Sequence, residues 1–156
     1  NIGNSKHIAS LLLVGSIIMA ISCILGGFIS DYVSKTKMMG LLLIVTLVLT
    51  PLFYKGLISG SGVFTSFIAL SITMGFFAPT YNVIIVDFFD THFRGRGHGL
   101  AYNLGYLVFS SAVPALTVFL ISKTGDLLIP VYLISIAAVI SLLGLVIASG
   151  IIKKKA

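Results

Sequence analysis

Charged side chains are scarce in this sequence, and glutamate is missing altogether. Only 9% of the 156 residues are charged, whereas a soluble domain carries about 25%. The composition therefore argues against a water-soluble protein. The net charge of +6 comes from lysines and arginines that stand in short clusters between apolar runs. This layout is typical of loops at a membrane surface and not of a nucleic-acid-binding face.

Cysteine and convergent metal ligands are also lacking, which excludes several classes of site. Cys23 is the only cysteine, so the chain has no disulfide framework and no thiolate set for zinc or an iron–sulfur cluster. His92 and His98 lie near Asp90 in one turn but offer no convincing ligand set. The glycines between 95 and 99 do not follow a strand, which excludes a phosphate-binding loop. Since no Ser/His/Asp arrangement has a supporting scaffold, we expect no enzyme, no metal and no cofactor.

What the sequence does contain is a series of long apolar runs. A helix of about 20 apolar residues, rising about 1.5 Å per residue, crosses the roughly 30 Å hydrocarbon core of a bilayer. The sequence predicts an all-α, polytopic transmembrane helix bundle of about five spans, at residues 8–30, 38–54, 62–86, 99–122 and 130–152. Pro79 is predicted to interrupt and kink the third span, because proline removes a backbone donor. The freed carbonyl should face a cavity or another helix.

Basic residues are distributed unequally between the two sides of such a bundle. Alternating spans place the 31–37 turn, the 87–98 turn and the carboxyl-terminal lysines on one side. That side holds Lys35, Lys37, Arg94, Arg96, Lys153, Lys154 and Lys155, and the opposite side holds Lys6, Lys55 and Lys123. Lysine and arginine accumulate in cytoplasmic loops. We therefore predict a cell (inner) membrane protein with its amino end outside and its carboxyl end in the cytoplasm.

The turn between the first two predicted spans resembles a known signature. Residues 27–37, GFISDYVSKTK, resemble the major facilitator superfamily loop G-x-x-x-D-[RK]-x-G-[RK]-[RK]. Gly27, Asp31 and Lys35 stand in the expected places. The first basic residue and the second glycine of the signature are replaced, so the turn matches it in part.

A second turn carries a more extensive resemblance. Residues 87–105, DFFDTHFRGRGHGLAYNLG, are similar to the loop and following helix of the metabolite:proton symporter branch of that superfamily. This branch includes proline/betaine, α-ketoglutarate and shikimate carriers and reads acid-x-F-P-T-x-x-R-x-x-G, followed by Y-N-x-G. Here Asp87 replaces the usual glutamate and Asp90 the usual proline. Pro114 and the TGD sequence at 124–126 also fit the branch.

The resemblance covers nearly the whole chain and implies both a fold and a partner. The five spans would correspond to helices eight to twelve of a twelve-helix carrier. Residues 1–156 would then form a carboxyl-terminal transmembrane half without its seventh helix and without the amino-terminal half. We therefore expect a fragment, or the product of a split or truncated gene. Its partners would be the lipid bilayer, a small-molecule solute, protons and the missing amino-terminal half, and no nucleic acid.

Two groups of site residues follow from the resemblance and from the polar pattern. By resemblance, the gating loop residues are Gly27, Asp31, Lys35, Asp87, Arg94 and Gly97. In the family such loops stabilise the outward-open state through charge contacts, and an ordinary solvated turn is the alternative. The candidates for a substrate cavity are Thr80, Tyr81, Asn82, Tyr102, Asn103 and Tyr106, since aromatic and amide groups suit quaternary ammonium or carboxylate ligands. For Asn103 alone, an interhelical hydrogen bond is the preferred interpretation.

The predicted function is proton-coupled uptake of proline/betaine-type osmolytes or organic acids by alternating access. No charged residue falls in the middle of a predicted span. Because such residues usually mark a proton or ion path, the coupling residues would belong to the missing half. A non-transporting membrane remnant, or an interaction subunit of a split carrier, is the alternative function.

Overall fold

The computed structural model describes residues 5–155, and this part of the chain consists of helices joined by short turns. The elements are α1 (Ser5–Tyr32), α2 (Lys35–Ser59), α3 (Val63–Phe88), α4 (Arg94–Tyr106), a π-helical segment (Leu107–Ser111), α5 (Ala112–Thr124) and α6 (Ile129–Lys155). Within that range there is no strand. The all-α prediction is therefore confirmed.

Four of these helices are long and apolar enough to cross a membrane. The qualifying stretches are Ile8–Tyr32, Lys35–Ser59, Val63–Phe88 and Ile129–Gly150. They overlap the first, second, third and fifth predicted spans. The fourth predicted span, 99–122, is built from α4, the π-helical segment and α5 in direct succession. The division into five spans remains a prediction.

Polar and apolar residues are arranged in the reverse of a soluble protein. Large apolar side chains are exposed, with Phe28 at 64% and Val146 at 69%. Hydroxyl side chains are buried instead, namely Ser22, Ser30, Thr46, Thr50, Ser71, Thr73 and Thr80. Exposed apolar surface of this extent is costly in water but favourable against lipid tails. The surface therefore fits a protein that is solvated by lipid.

The helices form two compact units that divide within α3, between Tyr81 and Asn82. In the first unit, α1 and α3 approach closely at small residues. A Cβ placed on Gly75 would lie 2.5 Å from the Met19 carbonyl oxygen and 2.5 Å from the Ser22 Cβ. One placed on Gly26 would lie 3.0 Å from the Phe76 Cα. Small residues of α1 and α3 thus lie where the two helices approach most closely.

Proline does not end either of the helices that contain it in this unit. Pro51 lies inside α2, which continues to Ser59, and Pro79 lies inside α3. Helix α3 runs without a break through Pro79, so the helix is not interrupted there, and the predicted kink stays a prediction. A membrane helix tolerates proline when neighbouring groups satisfy the freed backbone. Helix α2 ends instead at Gly60, which has φ +72° and donates its N–H to the Gly56 carbonyl at 2.8 Å, as left-handed glycine caps do.

The second unit, 82–156, contains the end of α3, the 89–93 turn and the later helices. Its second turn, between α5 and α6, is organised by Asp126. The Asp126 carboxylate accepts the Leu128 N–H at 2.8 Å, and the Asp126 N–H donates to the Thr124 hydroxyl at 3.2 Å. This local bonding is the reason that aspartate is favoured in turns.

Candidate functional site

The first predicted gating turn is very short. Asp31 lies in the last turn of α1, Lys35 begins α2, and only two residues connect the helices. The Val33 N–H donates to the Ile29 carbonyl at 3.0 Å, which continues the bonding pattern of α1. Asp31 is exposed and Lys35 is half-buried. The turn thus holds both charged residues at adjoining helix ends, and a Cβ on Gly27 would meet no neighbour within 4 Å.

The second predicted gating turn is held by its own backbone and by Arg94. The Phe93 N–H donates to the Asp90 carbonyl at 2.9 Å, and the Arg94 Nε donates to the Phe89 carbonyl at 3.4 Å. Asp87 lies half-buried in the last turn of α3. Arg94 therefore acts here as a local tether of the turn.

Gly97 has a clear steric role in this turn. A Cβ at Gly97 would lie 2.5 Å from Cδ1 of the Phe89 ring and 2.6 Å from its Cγ. The ring of Phe89 therefore packs directly on the backbone of the first turns of α4. A Cβ at the neighbouring Gly95 would meet nothing within 4 Å. Of these two glycines, only Gly97 is required for packing.

The six cavity candidates divide between the two units. Thr80 and Tyr81 belong to the first unit. Thr80 is 0% exposed, and its hydroxyl donates to the Phe76 carbonyl of the same helix at 2.8 Å. The Tyr81 ring lies 6.4 Å from that of Phe77. In this structure both residues are thus engaged along α3.

In the second unit, His98 connects three of the other candidates, which are Asn82, Tyr102 and Tyr106. His98 was not among the cavity candidates predicted from the sequence. His98 Nε2 lies 3.0 Å from Asn82 Oδ1 and links the start of α4 to the end of α3. The His98 ring stacks on Tyr102 at 5.9 Å, and Tyr102 stacks on Tyr106 at 4.7 Å. We call His98, Tyr102 and Tyr106 the aromatic column. Their spacing of four residues places them on one helix face. This spacing in the sequence could have identified His98 as a member of the group.

Asn103 takes a different position from the other candidates. It is exposed, and its Nδ2 donates to the Gly99 carbonyl of the same helix at 2.7 Å. This local hydrogen bond is the one described for the Asn103 amide, and the expected interhelical hydrogen bond stays a prediction. Asn103 borders an open groove of about 720 Å³ along α4, together with Arg96, Tyr106 and Ser110.

A π-helical segment follows the aromatic column directly. It occupies Leu107–Ser111, and Pro114 stands three residues beyond it. A proline ring clashes with the carbonyl four residues earlier, here that of Ser110. Widening of the preceding turn relieves such a clash. Single π-helical turns occur frequently at functional sites.

Comparison with known proteins places these features in a family. The family model of the Major Facilitator Superfamily matches residues 1–155. The chain belongs to the Major Facilitator Superfamily. Members of this superfamily are membrane transporters, and the exposed apolar helices agree with a multi-pass membrane protein.

Individual superfamily relatives match a smaller part of the chain. Proteins named "Putative proline/betaine transporter" from Staphylococcus aureus strains COL, MSSA476 and N315 are each 31% identical over 74 residues. The match covers 45% of this chain and 16% of each relative. The chain thus aligns with well under two thirds of these curated relatives. No solved structure gives a significant match.

Family membership explains the inverted distribution of polar residues. In a superfamily member the interior of a helix bundle carries polar and small residues, since helices in lipid associate through close packing and hydrogen bonds. The buried Ser71 and Gly75 of α3 and the buried Ser22 of α1 follow this pattern. The resemblance of the 27–37 and 87–105 segments to the superfamily is confirmed by the match over 1–155.

Proposed function

We propose that this chain is the carboxyl-terminal transmembrane half of a superfamily carrier that moves a small polar solute across the cell membrane. The observation that carries the proposal is the family match over residues 1–155. Proton-coupled uptake of proline/betaine-type osmolytes or organic acids is the proposed activity. Its support is the partial likeness to proteins named putative proline/betaine transporters.

The proposed solute contacts lie along the aromatic column. Tyrosine faces attract quaternary ammonium and other cationic groups, and the amide nitrogen of Asn82 carries the N–H donors that suit a carboxylate. A betaine-type zwitterion carries both of these charges. Tyr106 is 56% exposed and borders the groove along α4, so its ring remains accessible beyond the stack with Tyr102. Thr80, Tyr81 and Asn103 remain secondary candidates.

Transport would proceed by alternating access, with this bundle rocking against an amino-terminal half around a site near the midplane. The residues proposed for gating are Gly27, Asp31, Lys35, Asp87, Arg94 and Gly97. The proposed orientation has the amino end outside and the carboxyl end in the cytoplasm, as the positive-inside rule predicts. Proton-carrying residues would lie in the partner half.

The test is complementation of transport. The chain is produced together with the first seven helices of a proline/betaine carrier, which are its amino-terminal half and its seventh helix, in cells that lack osmolyte uptake. We expect uptake of labelled proline or betaine above that of either half alone. Tyr106→Ala should raise the half-saturation concentration about tenfold, as loss of a cation–π contact of roughly 1.4 kcal/mol would, and Tyr106→Phe should retain most of the affinity.

Two results would oppose the proposal. Absence of uptake for proline, betaine, α-ketoglutarate and shikimate in every pairing would favour a non-transporting remnant or interaction subunit. Uptake that is indifferent to Tyr106→Ala would remove the aromatic column from the solute site while leaving the transport proposal intact. A variant at Val146, which is 69% exposed on α6, serves as the matched surface control.

A further inference from the structure

A second groove lies in the turn between α3 and α4 and shares Arg96 and Leu100 with the groove along α4. It has a volume of about 540 Å³, and its lining is mostly apolar: Phe88, Phe89, Asp90, Phe93, Arg96, Gly97 and Leu100. Phe93 is 62% exposed and Leu100 is 67% exposed. We call it the turn groove. Because α3 ends at Phe88 and α4 begins at Arg94, the turn groove lies at the surface of the bilayer, where an apolar span gives way to a polar turn.

The cationic group of the turn groove is the side chain of Arg96. It is exposed, and among the side chains that the structure describes it has no ion pair or hydrogen bond. Arg94, two residues earlier, donates instead to the Phe89 carbonyl and does not line the groove. The two arginines of this turn therefore differ, and the guanidinium of Arg96 retains its donors for a ligand.

The local electrostatics favour an anion beside Arg96. Helix α4 begins without a side-chain cap on Phe93, and its first turn contains no acidic residue. Two arginines at the positive end of a helix dipole are unfavourable unless a negative group compensates them. A guanidinium binds phosphate oxygens in a bidentate manner. Phosphate at this position would accept hydrogen bonds from the arginine, and a helix start generally leaves backbone donors without a partner inside the helix.

From this geometry we infer that the turn groove binds an anionic phospholipid of the surrounding membrane. The phosphodiester lies on the Arg96 guanidinium, and the lipid packs against the exposed side chains of Phe93 and Leu100 on either side of it. An amphiphile fits because the groove places one unpaired cation between exposed apolar side chains. Leu100 follows Arg96 by four residues, about 6 Å along the helix, which matches the step from headgroup to hydrocarbon. This assignment is independent of which solute the carrier moves.

Asp90 also lines the turn groove and sets a second expectation. Its carboxylate disfavours an anion, so Asp90→Asn should strengthen lipid binding while Arg96→Gln weakens it. The two substitutions are expected to change lipid affinity in opposite directions. General destabilisation of the fold would lower lipid affinity in both variants, so the pair separates an effect on binding from an effect on folding.

The experiment uses a fluorescent reporter, because the chain contains no tryptophan. Phe93→Trp places a single indole in the turn groove, and Phe64→Trp places one at the other end of α3, where Phe64 is 52% exposed. The full chain is reconstituted into phosphatidylcholine vesicles that contain either brominated phosphatidylglycerol or brominated phosphatidylcholine at equal mole fraction. Bromine quenches tryptophan on contact.

We expect phosphatidylglycerol to compete for the Phe93→Trp site about fivefold better than phosphatidylcholine, the factor that corresponds to about 1 kcal/mol per arginine. Arg96→Gln should abolish this preference. Arg94→Gln is the matched control: it removes the same charge from the same turn and should leave most of the preference. The Phe64→Trp reporter should show none.

Three results would overturn the inference. Equal quenching by both lipids at Phe93→Trp would mean that the groove does not recognise the headgroup. An equal loss for Arg94→Gln and Arg96→Gln would reduce the effect to general attraction between a basic surface and anionic lipid. Absence of quenching by either lipid would mean that another segment of protein covers the groove. Circular dichroism of each variant verifies that its helix content is unchanged.

Discussion

Gly75 is the residue at which the packing of α1 against α3 is most demanding among the glycines described above. Two of the three atoms nearest to an added Cβ belong to the α1 backbone, the Met19 carbonyl oxygen at 2.5 Å and the Cys23 nitrogen at 3.1 Å. Backbone atoms inside a helix cannot move aside as a side-chain tip can. A substitution there must separate the helices.

Gly75→Ala should therefore lower the free energy of unfolding in detergent by about 1–3 kcal/mol, the usual cost of overpacking. Gly144→Ala is the matched control, because a Cβ at Gly144 meets nothing within 4 Å, and alanine favours a helix over glycine by about 1 kcal/mol. Thermal unfolding followed by circular dichroism measures both. An unchanged midpoint for Gly75→Ala would contradict the close contact.

The hydrogen bond between His98 and Asn82 is the polar link from α3 to α4. Its energy is measured by a double-mutant cycle with His98→Ala, Asn82→Ala and the double variant. We expect a coupling energy of about 1 kcal/mol, the typical net value of such a bond. His98→Gln should restore part of the stability, since its amide can also donate. Additive effects of the two alanine variants would show that the residues do not interact.

At the scale of elements, sequence periodicity and length predicted most of the helices but not their internal irregularities. Apolar runs predicted α1, α2, α3 and α6 because span length is fixed by bilayer thickness. Helix α3 continues through Pro79, and a membrane helix tolerates proline where neighbouring groups satisfy the freed backbone. The π-helical segment also escaped prediction, because the i→i+5 bond has no residue signature of its own. In the sequence, Pro114 is the residue that indicates an irregular helix at this point, because its ring clashes with the carbonyl four residues earlier.

Pro114→Ala should convert the Leu107–Ser111 segment toward a regular α-helix. Alanine restores the N–H that proline lacks and removes the clash with the Ser110 carbonyl. We expect amide hydrogen exchange in this segment to slow about tenfold, equivalent to roughly 1.4 kcal/mol of added local stability. Exchange in α6 should be unaffected. An unchanged rate in 107–111 would mean that the widened turn has another cause.

At the candidate site, the residues of one helix face were predictable from the sequence, whereas contacts between helices were not. Tyr102 and Tyr106 were predicted from their polarity within an apolar run, and the structure does place them together. His98 was considered only as a metal ligand, because its partner Asn82 lies sixteen residues away across a turn. Contacts between elements are not encoded in the local pattern of either one. The role of Arg96 was likewise hidden, since sequence alone does not separate it from Arg94.

The orientation of the whole chain in the membrane is predicted by where its lysines and arginines lie. The unequal distribution of basic residues predicts that the 60–62 loop faces outward and the 89–93 turn faces the cytoplasm. The chain suits a cysteine-labelling experiment because Cys23 is its only cysteine. Replacement of Cys23 by serine gives a background without thiols. Ser61 and Thr91 are both exposed, so each accepts a single reporter cysteine.

In intact cells, an impermeant maleimide should label Ser61→Cys and should reach Thr91→Cys only after the membrane is permeabilised. The physical reason is that translocating lysine and arginine against the membrane potential is unfavourable, so the turn with Arg94 and Arg96 stays inside. The Cys23→Ser parent, which has no thiol, gives the background level of labelling. Labelling of Thr91→Cys from outside would reverse the orientation. It would also place the turn groove against the outer leaflet, where the lipid available to Arg96 is different.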